Sequence, residues 1–147
     1  MNNHTFEQEL SLHGKVVYPN TGESMLPLLR QQRDLMVIEK RPEGRLQKYD
    51  AVLYRRGERY ILHRIVKVRP VDYVLCGDNC RRREFGITDA QIIGILTAVV
   101  RNGREIPVTD RRYRRYVHLW CGLFPLRAAV LFCRDALRHI QRQLFHS

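Results

Sequence analysis

Ser24 is the residue of this chain whose type and setting first suggest covalent chemistry. It lies in residues 21–27, Thr-Gly-Glu-Ser-Met-Leu-Pro, between a glycine and a proline and beside apolar side chains. A serine hydroxyl is a weak nucleophile at neutral pH and needs an adjacent base to take its proton. Residues 61–66, Ile-Leu-His-Arg-Ile-Val, offer such a base in His63. Ser24 and His63 are therefore the candidate nucleophile and general base.

Two acidic residues are candidates for the third member of this site. A histidine base needs a group that fixes its tautomer and stabilises its cation. Asp78 lies in a Gly-Asp-Asn turn, and Glu84 follows a run of three arginines. Taken by itself, His63 in an alternating apolar stretch is more typical of a half-buried strand histidine. The combination of a serine, a histidine and an acid in this order is what indicates catalysis.

The same motifs resemble the type I signal peptidases, and most closely their histidine-using branch. The resemblance runs from about residue 22 to residue 99, and the matching residues are Gly22, Ser24, Met25 and Pro27, then Asp50 and Val52, then His63, Arg64, Ile65 and Val66, then Gly77, Asp78 and Asn79. It implies a serine endopeptidase that cleaves a leader or signal-like segment from a protein or peptide precursor. In that role Ser24 attacks the peptide carbonyl and His63 is the general base.

One departure from the family pattern affects the site. The family usually holds its acid in an acidic cluster just beyond Gly-Asp-Asn, where this chain has Cys-Arg-Arg-Arg-Glu over residues 80–84. Glu84 falls near the expected position, so we favour Glu84 for orienting His63 and Asp78 for shaping the site. Asp78 is the alternative for the orienting acid. The family's other branch uses lysine as the base at the position of His63. Lys67 lies four residues later and is a weak candidate.

The remaining expectations for the site concern the substrate. Met25 and Pro27, with apolar strand residues, would line a pocket for small substrate side chains, although core packing alone would also explain Met25. A backbone N–H near Ser24, its own included, would hold the developing oxyanion. We predict no cofactor and no metal. Cys76 and Cys80 bracket the Gly-Asp-Asn turn and could form a disulfide or bind metal, but free thiols are favoured.

The order of turn and strand signals predicts a mainly β fold with a small β-barrel-like core. The resemblance implies that this core is of the signal peptidase and LexA type. We expect a short helix over Asn3 to His13, capped by Thr5 and Gln8 and stopped by Gly14. Asn102-Gly103 predicts a hairpin, and Val117 onward predicts a helix broken at Pro125. The catalytic domain is expected to span residues 1–110, and a basic, apolar helical extension residues 111–147.

The charge of the chain is concentrated at its C-terminal end. The net charge is +11, and residues 101–147 hold 10 Lys+Arg against 3 Asp+Glu. An interfacial membrane helix and a helix packed on the core are equally compatible with this segment. With no targeting pattern and no apolar stretch of about 18 residues, we expect a protein on the cytoplasmic side, either cytosolic or peripherally attached. An anionic membrane surface is the partner considered for residues 111–147, and nucleic acid is disfavoured.

Alternative functions follow from the same observations. A LexA-like self-cleaving regulator would need a Ser–Lys pair, an upstream DNA-binding domain and an Ala-Gly cleavage dipeptide. The 21 residues before Gly22 are too few for such a domain, and no Ala-Gly dipeptide occurs. A non-enzymatic basic module that binds anionic lipid or nucleic acid would also explain the charge. An inactive relative of the peptidases is a further alternative, because arginines replace the acidic cluster.

Overall fold

The computed structural model describes residues 5–145, so the predicted start of the first helix at Asn3 lies outside the described residues. Helix α1 spans Phe6–His13 and begins with the expected capping box. Gln8 donates its N–H to Thr5 Oγ1 at 3.3 Å, and Thr5 donates its N–H to Gln8 Oε1 at 2.9 Å. Gly14, at φ 68°, ends the helix in the left-handed conformation. Both predicted boundary signals of α1 are confirmed.

The fold is mainly β, as predicted. Eight antiparallel strands form one sheet in the order β1-β2-β7-β3-β4-β5-β6, with β8 paired to β7. The strands are β1 Lys15–Pro19, β2 Asp34–Lys40, β3 Ala51–Arg56, β4 Arg59–Val68, β5 Tyr73–Cys76, β6 Glu84–Ile87, β7 Ile92–Arg101 and β8 Arg104–Pro107. The long strand β7 lies at the centre of this sheet, where it pairs with β2, β3 and β8.

Local turn chemistry predicts the hairpins well but misses one strand. Asn102 and Gly103 turn β7 into β8 with φ values of 51° and 75°, the left-handed pair that a type I′ turn requires. The stretch before residue 85 reads in the sequence as a basic turn, yet Glu84 is the first residue of β6 and pairs with Leu75 of β5. This additional strand, next to β5 at one end of the sheet order, carries Glu84.

The sheet is buried on both faces. Because successive side chains of a strand alternate between faces, β3 sends Leu53 into one core cluster and Val52 and Tyr54 into another. The first cluster also takes residues from α1, from the serine loop and from the C-terminal segment, and its buried members are Leu10, Met25, Leu29, Met36, Ile38, Ala51, Leu53, Leu62, Leu96, Val99, Tyr113, Val117 and Cys121. The sheet is thus the rigid support on which the candidate site rests.

The C-terminal segment begins inside this core. Helix α2 spans Arg111–Tyr116, a π-helical turn follows over Val117–Cys121, and α3 spans Phe124–Phe145. The break precedes Pro125, which occupies the first turn of α3, where a missing N–H breaks no helical hydrogen bond. Among the described residues, no single helix has both the length and the apolar composition to cross a membrane, although Arg111–Cys121 and Phe124–Leu144, bent by 78°, pass that test as a pair.

Candidate functional site

His63 lies on β4, and its ring contacts side chains of two other strands, β3 and β6. It pairs with Val52 of β3 and is buried. Its Nδ1 atom lies 3.2 Å from Glu84 Oε1 and 3.4 Å from the Tyr54 hydroxyl. An acceptor on the Nδ1 side favours the tautomer that carries its proton there and leaves Nε2 free to accept a proton. This is the arrangement that a general base needs.

Glu84 reaches His63 because β6 follows β5 in the sheet. The same Oε1 atom of Glu84 lies 2.9 Å from Arg56 Nη1, at the end of β3. The carboxylate therefore contacts an arginine and a histidine at once. Of the two candidate acids, Glu84 is the one that contacts His63 in this structure.

Burial dominates the acid–base behaviour of the site. It lowers the pKa of His63 below its usual value because an imidazolium is poorly solvated there, and the nearby Arg56 lowers it further. The Glu84 carboxylate opposes both effects and raises the pKa of His63. Burial, together with Glu84, also raises the pKa of Tyr54, so this hydroxyl stays protonated. The imidazole is thus held neutral, the form in which it can accept a proton.

The serine loop is tied to the Gly-Asp-Asn turn by two hydrogen bonds. Asn79 donates its backbone N–H to the Ser24 carbonyl at 2.8 Å and its side-chain amide to the Glu23 carbonyl at 2.9 Å. On the other side of the loop, Asn20 donates its amide to the Gly22 carbonyl at 2.7 Å. The backbone around Ser24 is therefore positioned from both sides.

The Ser24 backbone and the His63 ring both lie close to Gly77. A Cβ atom built on Gly77 would lie 2.6 Å from the Ser24 carbonyl oxygen, 2.8 Å from Cys80 Sγ and 3.0 Å from His63 Nε2. Such close approach requires a residue without a side chain. Within residues 5–145, however, the Ser24 hydroxyl makes no hydrogen bond to His63. Catalytic hydrogen bonds are often long before substrate binds, so a nucleophile–base pair does not require this hydrogen bond in the free protein.

A cavity of about 250 Å³ opens beside Ser24. Its walls come from α1, β1, β2, β3 and β4 and are largely apolar and aromatic, and its lining residues are Phe6, Tyr18, Asn20, Thr21, Gly22, Ser24, Met25, Met36, Leu53, Tyr60, Ile61 and Leu62. Met25 thus lines the cavity as predicted while also being buried in the core. Pro27 does not line it and instead borders a second cavity of about 300 Å³ next to Tyr116.

Asp78 faces away from His63 and forms a buried ion pair. Its carboxylate accepts hydrogen bonds from Arg64 Nε at 2.8 Å and from Arg64 Nη2 at 2.7 Å. The Tyr116 hydroxyl donates to the same carboxylate at 2.8 Å, and Trp120 donates its indole N–H to the Asp78 carbonyl at 2.8 Å. Asp78 therefore fixes the turn that carries Gly77 and Asn79 and joins it to the C-terminal segment.

Sequence reasoning missed three contributors to the site. Arg56 and Tyr54 contact the His63–Glu84 pair, and Arg64 is the partner of Asp78. The alternation of β3 and β4 could have placed Tyr54 on the face of His63, since both strands were predicted. No local signal connects Arg56 with Glu84. Arg64 belongs to the recognised motif, but its partner is set by the packing of β4 against the following turn.

The backbone N–H of Ser24 donates no hydrogen bond to another described residue. All four cysteines are free thiols in this structure. Within residues 5–145, no group of three His, Cys, Asp or Glu side chains is placed to hold a metal ion. Comparison of the chain with protein families, with curated proteins and with solved structures gives no significant match.

Proposed function

We propose that this protein is a serine endopeptidase that removes a leader or signal-like segment from a protein or peptide precursor. The observation that carries the proposal is the order Glu84, His63, Gly77 and Ser24 across the end of the sheet. Glu84 contacts Nδ1 of His63, while Nε2 and the Ser24 backbone both approach Gly77. A carboxylate, an imidazole and a serine in this order are the parts of a hydrolytic triad.

In the proposed reaction, Ser24 Oγ attacks the carbonyl carbon of the scissile peptide bond as His63 Nε2 takes the hydroxyl proton. The resulting imidazolium is stabilised by Glu84, and the Ser24 N–H donates to the oxyanion. His63 then gives its proton to the leaving amine, and the C–N bond breaks. Water, deprotonated by His63, then attacks the acyl carbon. The bond from that carbon to Ser24 Oγ breaks, His63 returns the proton to Oγ, and the second product leaves as an acid.

The cavity beside Ser24 supports a peptide substrate with an apolar side chain near the cleaved bond. Its walls include the rings of Phe6, Tyr18 and Tyr60 and the side chain of Met25. Desolvation of an apolar side chain in such a cavity would fix the register of the substrate against Ser24.

Covalent labelling with a serine-reactive phosphonate, read by mass spectrometry, tests the nucleophile. We expect one label on Ser24, and no label in Ser24→Ala or in His63→Gln, which keeps a side chain of similar volume in the buried site. Cys80→Ala is the matched control, because Cys80 Sγ is the other nucleophile beside Gly77. It should label like the wild type.

A label on Cys80, or undiminished labelling of Ser24→Ala, would contradict this assignment of the nucleophile. Digestion of a mixed peptide library then tests the reaction itself. We expect the wild type to cleave peptides of the library and Ser24→Ala to cleave none. If a correctly folded protein that takes the label leaves the library intact, this result would argue against endopeptidase activity on unselected peptides.

A further inference from the structure

Helix α3 carries a continuous exposed apolar face. Its members recur every three, four or seven residues, so they lie on one side of the helix. They are Leu126, Val130, Leu137, Ile140 and Leu144, preceded by Leu123 just before the helix, with exposed fractions between 49% and 71%. We call this surface the apolar face of α3. Large apolar side chains on one side of a helix form a patch that water does not favour.

A neighbouring side of α3 holds the helix on the domain. Arg127 donates to the Cys80 carbonyl at 3.2 Å, Leu131 is buried, and Arg134 donates to Asn79 Oδ1 at 2.6 Å. Every residue from 136 to 144 is exposed. The anchored first half therefore fixes the direction of the helix, and the second half projects from the body with its apolar face uncovered.

The charge around this face has a single sign. Residues 111–147 contain eight arginines and one acidic residue, Asp135, which is already paired with Arg134 at 2.9 Å. Arg134, Arg138 and Arg142 follow one another at four-residue spacing along one side of the face. A partner must therefore bury apolar side chains and at the same time accept the positive charge of arginines.

We propose that the apolar face of α3 docks the protein on an anionic membrane surface. The leucine, isoleucine and valine side chains would enter the boundary between headgroups and acyl chains, while Arg138 and Arg142 would reach the phosphate and carboxylate groups of the lipids. An amphipathic helix rich in arginine on its polar side is typical of such binding, because each basic residue near an anionic surface adds to the attraction.

Two other occupants fit the surface less well. A second copy of the chain would bring the same arginines against each other. The side of the face away from these arginines carries Ala129 and Ala136, so the second copy would offer no carboxylate to Arg134. Nucleic acid would neutralise the arginines but would leave the apolar face in water. A lipid surface satisfies both properties together.

Vesicle flotation tests the proposal on the full chain. The probes are vesicles of phosphatidylcholine with about one third phosphatidylserine, and vesicles of phosphatidylcholine alone. We expect binding to the first, weakening with salt, and much less binding to the second. Because Ser24 lies outside the proposed surface, Ser24→Ala should bind like the wild type, so lipid binding and peptidase activity can fail separately.

Matched double variants locate the contact on the helix. Leu137→Glu with Ile140→Glu changes the apolar face, whereas His139→Glu with Gln143→Glu adds acidic residues at two exposed positions on the other side. We expect the first pair to weaken vesicle binding by at least about tenfold and the second to leave it within about threefold. All four positions are exposed, and circular dichroism confirms that the fold is kept.

Several results would overturn the proposal. The first is that the wild type does not bind phosphatidylserine vesicles, and the second is that both double variants lose vesicle binding equally. The third is that the protein binds a single-stranded RNA oligonucleotide more tightly than vesicles and that the Leu137→Glu, Ile140→Glu variant binds this RNA as the wild type does. Sedimentation equilibrium covers the remaining occupant. A dimer that dissociates in the apolar-face pair, in a protein that does not float with vesicles, would assign this face to a second copy of the chain.

Discussion

His63 Nδ1 lies 3.2 Å from Glu84 Oε1, and the same oxygen lies 2.9 Å from Arg56 Nη1. One carboxylate therefore serves a titratable base and a permanent cation. Arg56 helps to hold Glu84 in place but also disfavours the imidazolium, whereas Glu84 favours it. The charge state of His63 depends on this opposition, and removing either partner should move it in a known direction.

Glu84→Gln should slow phosphonate labelling of Ser24 by about a hundredfold or more, because the amide loses the charge that stabilises the imidazolium and can favour the wrong tautomer. Second-order labelling rates at one pH provide the measurement. Glu105→Gln, at an exposed position of β8, is the matched control and should label at the wild-type rate. Equal rates for Glu84→Gln and wild type would remove Glu84 from the proposed triad.

The pKa of His63 should lie below its ordinary value of about 6.5, and the two neighbours should shift it in opposite directions. Arg56→Gln removes a cation and should raise this pKa, while Glu84→Gln removes an anion and should lower it. Titration of the ring proton by NMR gives both values. Shifts of the same sign in the two variants would refute this electrostatic description.

The lowered pKa of His63 also predicts a pH dependence of stability. Between the folded-state pKa and about 6.5, the unfolded chain binds a proton that the folded protein does not. The free energy of unfolding should therefore fall as the pH is lowered through this window. Urea unfolding of wild type and His63→Gln across the window measures the effect, and the variant should lose this component of the slope. An identical slope in both proteins would exclude His63 as its source.

Gly77→Ala should reduce Ser24 labelling by about a hundredfold, since a displacement of about 1 Å at a catalytic group has effects of that size. The added methyl would meet the Ser24 carbonyl oxygen, a backbone atom that Asn79 holds in place. Gly122→Ala is the control, because its nearest neighbour would be Tyr49 Oη at 3.7 Å. If both variants labelled alike, the contact across Gly77 would not control the serine loop.

Asp78→Asn should destabilise the fold by about 3–5 kcal/mol, because it leaves the guanidinium of Arg64 buried without its counter-charge. The free energy of unfolding from urea titration measures this loss. Asp72→Asn, in the partly buried surface pair with Arg69, should lose far less. A small loss of unfolding free energy in Asp78→Asn would mean that the buried pair contributes to conformational specificity rather than to stability.

Local structure was largely predictable from the sequence. The capping box of Thr5 and Gln8, the stop at Gly14 and the turn at Asn102-Gly103 each depend on a few neighbouring residues, and each forms as expected. Strand β6 was missed because it is four residues long, follows three arginines and is recognisable mainly through its pairing with β5. The sequence predicted a helix break at Pro125, but the break comes before this residue, because the first turn of a helix tolerates proline.

The sequence by itself determined the chemical groups of the candidate site and their order, because hydroxyl, imidazole and carboxylate are properties of single residues. Only the tertiary structure decided which acid contacts His63, because that depends on the pairing of β5 with β6 and on Arg64 drawing Asp78 away. It also decided how Ser24 is held, through a hydrogen bond between Asn79 and Glu23, 56 residues apart. Such contacts arise when distant segments pack together, and no local pattern of residues encodes them.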